Sequence, residues 1–315
     1  MTVIHKRERY QGAMVGLLAG DAIGAPYETW NAADIAADIE KRGGLKMYDY
    51  VNPWAAQDGA TRVFPKGRPT DDGDHGAGFG LSLIACHGVD QEDIFNRLRH
   101  IVFGHVSPLW NGRAYGAGKT TREMLRPATW AESQALAYEC YPSNGGLMRI
   151  LALALYFGSF DLFDDAQVEL ATRVTHRNEL AVDCCSAYVA TACNLLEGRE
   201  PEYAIKSHIG FSLSDHVSMH CEQTPVDPGK WPERGHVGLT LHVAYWCLLN
   251  ATSFADGIEK AIRIGGDTDT YAAVAGGLLG ARFGYQGIPQ EWRRQLLGVD
   301  VMRKIADDLY DIAHH

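Results

Sequence analysis

The chain has 315 residues, 46% of them hydrophobic and 22% charged, with a formal charge of −10. This is the balance of a soluble globular protein long enough to bury a sizeable core, and its acidity argues against a nucleic-acid-binding surface. Residues 1–10 are polar and basic with no apolar signal core behind them, and the most apolar run, 147–157, contains Arg149 and is too short to span a bilayer. The cysteines (Cys86, Cys140, Cys184, Cys185, Cys193, Cys221 and Cys247) are odd in number and include no CxxC pair. That usage reads as reduced, mostly buried thiols in a cytoplasmic protein.

Helical periodicity dominates from the first element onward. Residues 10–24 place Gly12, Gly16, Gly20 and Gly24 on one helical face. Glycine costs ~1 kcal/mol per helix-interior position relative to alanine, so such a stripe predicts very close backbone approach to another helix. The segment 42–69, with Pro53, Pro65 and Pro69, reads as loop. Thr70-Asp71-Asp72-Gly73-Asp74 then heads a run of small and apolar residues. Helices are expected at 91–103, 146–156, 165–175, 180–196, 237–249 and 254–264, with Asp164 or Asp165 and Ser253 as N-caps. The proline-bearing segment 206–236 is loop-rich and suited to lining or covering a cleft. A second acidic group, Gly265-Gly266-Asp267-Thr268-Asp269-Thr270, heads another small-residue run in which Gly276, Gly280 and Gly284 repeat the four-residue spacing. That run is the expected partner of the first stripe. One or two closing helices fill 292–312. No sustained alternation of apolar and polar residues calls for strands, and no linker divides the chain. The expectation is a single all-α domain over residues 1–315.

Either acidic cluster alone is explicable as a helix start, where a cap and first-turn acids satisfy orphan amides and complement the macrodipole. Capping needs only one or two such groups, however, and both clusters are over-supplied. A shared hard cation bound through carboxylates and hydroxyls accounts for the excess. Other patterns carry less. Asp267-Thr-Asp-Thr-Tyr271 superficially matches a phosphatase DxDxT/V loop, but it follows a helix instead of a strand and ends on Tyr271. Gly116-Ala-Gly-Lys-Thr-Thr121 lacks the leading glycine of a P-loop, since Arg113 stands there. Such a turn can still offer backbone amides to a phosphate. His216, His220 and Cys221 lack a second ligand pair with zinc spacing, and Cys184-Cys185 reads as helix packing.

Taken in order, these motifs resemble the ADP-ribosylglycohydrolase family. The resemblance runs from about Gly12 to Trp292 through Gly16-Leu-Leu-Ala-Gly-Asp-Ala-Ile-Gly-Ala-Pro-Tyr-Glu28, Thr70-Asp-Asp72, Ser143-Asn-Gly-Gly-Leu-Met-Arg149, Thr175-His176 and Gly265-Gly-Asp-Thr-Asp-Thr270. It implies an all-α fold and two divalent cations, Mg²⁺ or Mn²⁺. Thr70, Asp71 and Asp72 would ligate from one side, and Asp267, Asp269 and Thr270 from the other. Glu28 is implied in catalysis or gating of the cleft, and a metal-ligating Asp such as Asp269 shares the task of orienting or deprotonating water. Gly116 and Gly118 resemble a loop that cradles a diphosphate, while Ser143, Asn144, Gly145, Gly146 and His176 fall where relatives hold ADP-ribose. One departure is that many relatives read Thr-Asp-Asp-Thr, where this chain has Gly73 followed by Asp74. Asp74 is a candidate outer-shell contact, and His75 is expected to be solvated or satisfied by capping.

The activity so implied is hydrolysis of ADP-ribose from modified protein side chains at ribose C1″, through an oxocarbenium-like transition state. Arginine-linked ADP-ribose is the first expectation, with serine-linked or O-acetyl-ADP-ribose second. A weakly catalytic ADP-ribose-binding protein or an immunity factor against an ADP-ribosylating toxin is the reading from another class. The partners expected are therefore an ADP-ribosylated protein or an ADP-ribose-containing small molecule, with no membrane and no nucleic acid.

Overall fold

A computed structural model of the chain describes residues 4–51, 63–137, 141–207 and 226–314. In chain order the helices are α1 (Lys6–Gly24), α2 (Ala32–Lys41), α3 (Asp71–Cys86), α4 (Gln91–Gly104), α5 (Lys119–Leu125), α6 (Trp130–Gln134), α7 (Leu151–Phe157), α8 (Asp165–Arg173), α9 (Glu179–Leu196) and α10 (Pro201–Lys206). They continue with α11 (Val237–Asn250), α12 (Phe254–Ile262), α13 (Thr268–Phe283), α14 (Gln290–Gln295) and α15 (Val299–His314). The fold is all-α. Strands among the described residues are limited to β1 (Tyr50–Val51) and β2 (Val63–Phe64), an antiparallel pair with Tyr50 opposite Phe64 and Val51 opposite Val63.

α1 and α13 form the axis of the molecule, packed antiparallel along their glycine stripes. A β-carbon added to Gly12, Gly16, Gly20 or Gly24 would fall on the carbonyl oxygen of Gly280, Gly276, Ala272 or Thr268 respectively. Only hydrogen fits at those positions, so the backbones touch, and dispersion and weak Cα–H···O contacts offset the helix-propensity cost of glycine. The expected pairing of the two stripes holds for Gly276 and Gly280. Gly284 lies just beyond α13 with φ of 72°, where it ends the helix against Ile4 and Glu8. A bond from Thr268 Oγ1 to the Gly24 carbonyl at 2.9 Å pins the C-terminal end of α1 to the N-terminal end of α13.

One contiguous apolar core extends from Tyr10 to Leu309 around this axis. α15 packs on α1, α3 and α7, while α9, α11 and α12 pack on α13. The N-caps fall as expected, with Asp164 accepting from the Ala166 amide and Ser253 from the Asp256 amide. The expected 146–156 helix is instead a 3₁₀ turn, Leu147–Arg149, followed by α7. Four helices, α2, α5, α6 and α10, lie outside the runs expected from sequence. Of these, α6 is set by a Thr129–Glu132 capping box, and α10 starts on Pro201. Cys184, Cys185, Cys193 and Cys247 are buried free thiols, and Cys86 is exposed. No helix among the described residues is long and apolar enough to cross a membrane. Cys140, His216, His220 and Cys221 lie outside the described residues.

Candidate metal centre

The axis delivers two of the site's three parts. Beyond α1 the chain turns through Ala25–Tyr27 and presents the half-buried Glu28. The facing start of α13 supplies Asp267 and Asp269, and ligand oxygens of Glu28, Asp267 and Asp269 all lie within 4.8 Å of one another. The third part, the start of α3, hangs on α1 through Asp21. This fully buried carboxylate accepts the Thr70 amide at 3.0 Å, the Thr70 hydroxyl at 2.8 Å and the Gly73 amide at 2.8 Å. Asp21 thus takes up an orphan first-turn amide of α3 from another helix.

Neither acidic cluster caps its helix from the N-cap position, although Asp269 Oδ1 accepts the first-turn amide of Thr270 at 2.9 Å. Thr70 and Asp267 occupy the N-cap positions of α3 and α13, and neither side chain makes a cap bond. The clusters meet instead. Asp72 Oδ2 lies 3.3 Å from Thr70 Oγ1 and 3.4 Å from Thr270 Oγ1, a hydroxyl 198 residues away in sequence. Asp267 Oδ2 accepts from Asn144 Nδ2 at 2.7 Å, and Asn144 Nδ2 also reaches Thr240 Oγ1 at 3.0 Å. Sequence reasoning overlooked Asp21. Its signal was a lone carboxylate within an otherwise apolar, small-residue helix, since an unpaired buried Asp is rare.

Burial pushes Asp21, Asp71, Asp72, Asp267 and Asp269 upward, and neighbouring carboxylates add to this at Asp71, Asp72 and Asp269. Burial raises Asp21 to about 6 against the pull of its Thr70 and Gly73 bonds. Burial, then the charge of Asp21, raises Asp71 to about 7. Asp72 and Asp269 stand well above the ordinary carboxylate range, each through burial first and then neighbouring carboxylates. Burial raises Asp267 against its bond from Asn144. The charge of Arg68 pulls Asp21 back in part. Asp72 Oδ1 is buried without any partner. A set of oxygen donors with excess negative charge and an orphaned carboxylate oxygen fits hard divalent cations. Thr70, Asp71 and Asp72 come from the start of α3, and Asp267, Asp269 and Thr270 from the start of α13. Glu28 joins the acidic group, with a carboxylate oxygen within 4.8 Å of those of Asp267 and Asp269.

The residues expected to hold substrate lie around this centre. Gly116 (φ of 106°) packs directly on Asp71, where a β-carbon would collide with the carboxylate. The Ala117 amide, also at positive φ, donates to Asp71. Gly118 faces open space, with no atom within 4 Å of a built β-carbon. The turn 143–146 is anchored at Asn144, whose amide donates to the Gly235 carbonyl at 3.0 Å. His176 is buried beneath that turn, with Nε2 3.1 Å from Ser143 Oγ and Nδ1 2.8 Å from Thr175 Oγ1. A β-carbon on Gly145 would stand 3.0 Å from the His176 ring. His176 therefore braces the turn through Nε2, while Thr175 fixes its ring through Nδ1. Burial, with Arg149 nearby, holds it well below the usual histidine range, hence neutral.

Two neighbours of the first cluster behave differently from their sequence expectation. Asp74 is buried and receives the Ser107 hydroxyl, which in turn accepts the Leu109 amide at 3.2 Å, so it anchors the loop before α5. His75 is neither solvated nor a cap. It is fully buried, neither ring nitrogen is bonded, and burial together with Arg149 drives it down to about 3. Gly73 also has a spatial reason. A β-carbon there would stand 2.9 Å from both Asp21 Oδ2 and Pro69 Cβ.

The family profile described as ADP-ribosylglycohydrolase matches residues 2–315. The ADP-ribosylarginine hydrolase Tri1 of Pseudomonas putida (strain GB-1) is 25% identical over 97% of this chain and 79% of its own length. The ADP-ribosyl-[dinitrogen reductase] glycohydrolase of Rhodospirillum rubrum is 26% identical over 94% of this chain and 92% of its own. The ADP-ribosylhydrolase ARH3 of Homo sapiens is 23% identical over 96% and 93%. A solved structure titled ADP-ribosylglycohydrolase-related protein complex superposes with a TM-score of 0.77 at 26% identity, covering 98% of this chain and 99% of that one.

Proposed function

This chain belongs to the ADP-ribosylglycohydrolase family of hydrolases, and we propose that it releases ADP-ribose from modified protein side chains, arginine-linked ADP-ribose first, at a centre for two divalent cations, Mg²⁺ or Mn²⁺. The observation that carries this reading is the junction of the two acidic clusters at Asp72, with its orphaned Oδ1. Relatives named for ADP-ribosylarginine that match nearly the whole chain support arginine as the linkage. Buried free thiols support a reducing, cytoplasmic setting.

Thr70, Asp71, Asp72, Asp267, Asp269 and Thr270 would hold the cations. When bound, the cations supply positive charge that offsets the carboxylates, and Lewis acidity toward ribose oxygens and water. Glu28, half-buried at the edge of the cluster, orients the attacking water and takes its proton, with Asp269 beside it. The 116–118 loop and the 143–146 turn offer backbone groups to the diphosphate and ribose. Asn144 couples the turn to Asp267, so substrate positioning and the acidic cluster share one rigid element. Cleavage at C1″ then proceeds with oxocarbenium character beside this concentration of negative charge.

The test is release of ADP-ribose from arginine- and serine-modified peptides with Mg²⁺, Mn²⁺ or a chelator present. We expect divalent-dependent turnover, faster on the arginine peptide, and its loss in a folded Asp269→Asn variant. Turnover in chelator, or full activity of that variant, would refute the two-cation centre. Preference for the serine peptide would reassign the linkage.

A further inference from the structure

Glu28 reaches its neighbours through a strained turn. Thr29 has φ of 73°, a left-handed conformation that a β-branched residue rarely adopts. The inner side of the turn is sewn to the second acidic loop, with Thr29 N donating to Gly266 O at 2.7 Å and Gly266 N to Trp30 O at 2.9 Å. On the outer side Arg234 Nη1 donates to Thr29 O at 3.2 Å. The arginine stem lies across the glycine turn, since a β-carbon on Gly266 would stand 3.0 Å from Arg234 Cδ. The backbone beneath Arg234 is fixed independently of this reach. Its carbonyl accepts the Tyr271 hydroxyl, and the Gly235 carbonyl accepts the Asn144 amide at 3.0 Å.

The turn needs such a hold. Carboxylate oxygens of Glu28, Asp267 and Asp269 lie within 4.8 Å, and the charge of Glu28 raises Asp269 further. Their repulsion pushes Glu28 away from the cluster, and Thr29, at its strained positive φ, is the pivot, held on the inner side by the turn's two backbone bonds and on the outer side by Arg234. Because Arg234 is exposed, its bond matters locally and adds little to global stability.

We propose that Arg234 is the positioning residue for Glu28. It holds Thr29 in its left-handed conformation, keeps the Glu28 carboxylate beside Asp267 and Asp269, and thereby sets how tightly that corner of the centre takes a divalent cation. The assignment rests on the two-cation reading above and adds to it a residue outside the ligand set.

The experiment titrates Mn²⁺ into the metal-free full-length chain and follows free Mn²⁺ by electron paramagnetic resonance. Arg234→Ala is expected to weaken the Mn²⁺ step to which Glu28 contributes by about fivefold, with an unchanged metal-free melting midpoint. Arg234→Lys keeps an N–H donor on a stem of nearly the same reach and is expected to recover most of that loss. In a Glu28→Gln background, Arg234→Ala is expected to add nothing, because it acts through Glu28. Wild-type Mn²⁺ affinity in Arg234→Ala, no recovery in Arg234→Lys, or an undiminished loss in the Glu28→Gln background would overturn the proposal. A wild-type chain that binds no Mn²⁺ would overturn the metal reading, and this assignment with it.

Discussion

Asp74 shows how a single buried acid makes stability depend on pH. Burial raises it to about 8 in the folded chain, against the pull of its bond from Ser107, whereas an unfolded aspartate titrates near ~3.9. Between those values the folded state holds a proton that the unfolded state has released, so stability falls as pH rises from about 4 and levels off above about 8. Asp21, at about 6, and Asp71, at about 7, add slope of the same sign in metal-free protein. Urea midpoints of metal-free wild type and Asp74→Asn at pH 4.5 and 8 should therefore differ in one respect, a shallower fall in the variant. Parallel falls would show that Asp74 does not contribute. The same residue illustrates a limit of reading residues alone. Its acidity was visible in Gly73-Asp74, but its partner, Ser107, comes from a loop that only packing brings near.

At the scale of elements, the α1–α13 pair sets the geometry of the site. Each glycine of the stripe in α1 faces a backbone carbonyl of α13, so the register of one helix against the other is fixed to a single residue. This register places Glu28 opposite Asp269. Gly16→Ala would place a methyl group 2.2 Å from the Gly276 carbonyl oxygen, a backbone atom that no rotamer change moves, with the Phe254 ring 3.1 Å away. We expect it to cost about 3 kcal/mol or more in urea unfolding, and to weaken divalent binding at the far end of the pair. Gly118→Ala is the control, because a β-carbon there meets nothing and its φ is −62°. Its stability should stay within about 0.5 kcal/mol of wild type. Equal effects of the two substitutions would show that the stripe is not the close contact described. The pairing was legible in sequence because the four-residue glycine spacing survives in both partners, whereas α5, α6 and α10, of five to seven residues, carry too few turns to leave a period. α2 places Ile35 and Ile39 on one buried face, a period that the sequence reading missed.

At the scale of the molecule, the centre is a store of electrostatic repulsion that a bound cation relieves. Mg²⁺ or Mn²⁺ should therefore raise the melting temperature of the whole chain, since a ligand at a hundred times its Kd stabilises by about 2.7 kcal/mol. The rise should be larger at pH 8 than at pH 5, where protons already neutralise Asp21, Asp71 and Asp74. Calorimetry with each cation and with chelator checks this, and a rise equal at both pH values would count against carboxylate ligation. From the sequence alone came the all-α class, the partnership of two glycine stripes, the family, and the residue types of the acidic clusters, because helical period and side-chain chemistry are local properties of a chain. The tertiary structure alone decided that Asp21 ties α3 to α1, that Asn144 braces Asp267, that His75 is buried and unbonded, and that Arg234 grips the turn beyond Glu28. Each of those depends on distances between groups remote in sequence, and it is the packing of backbones that sets such distances.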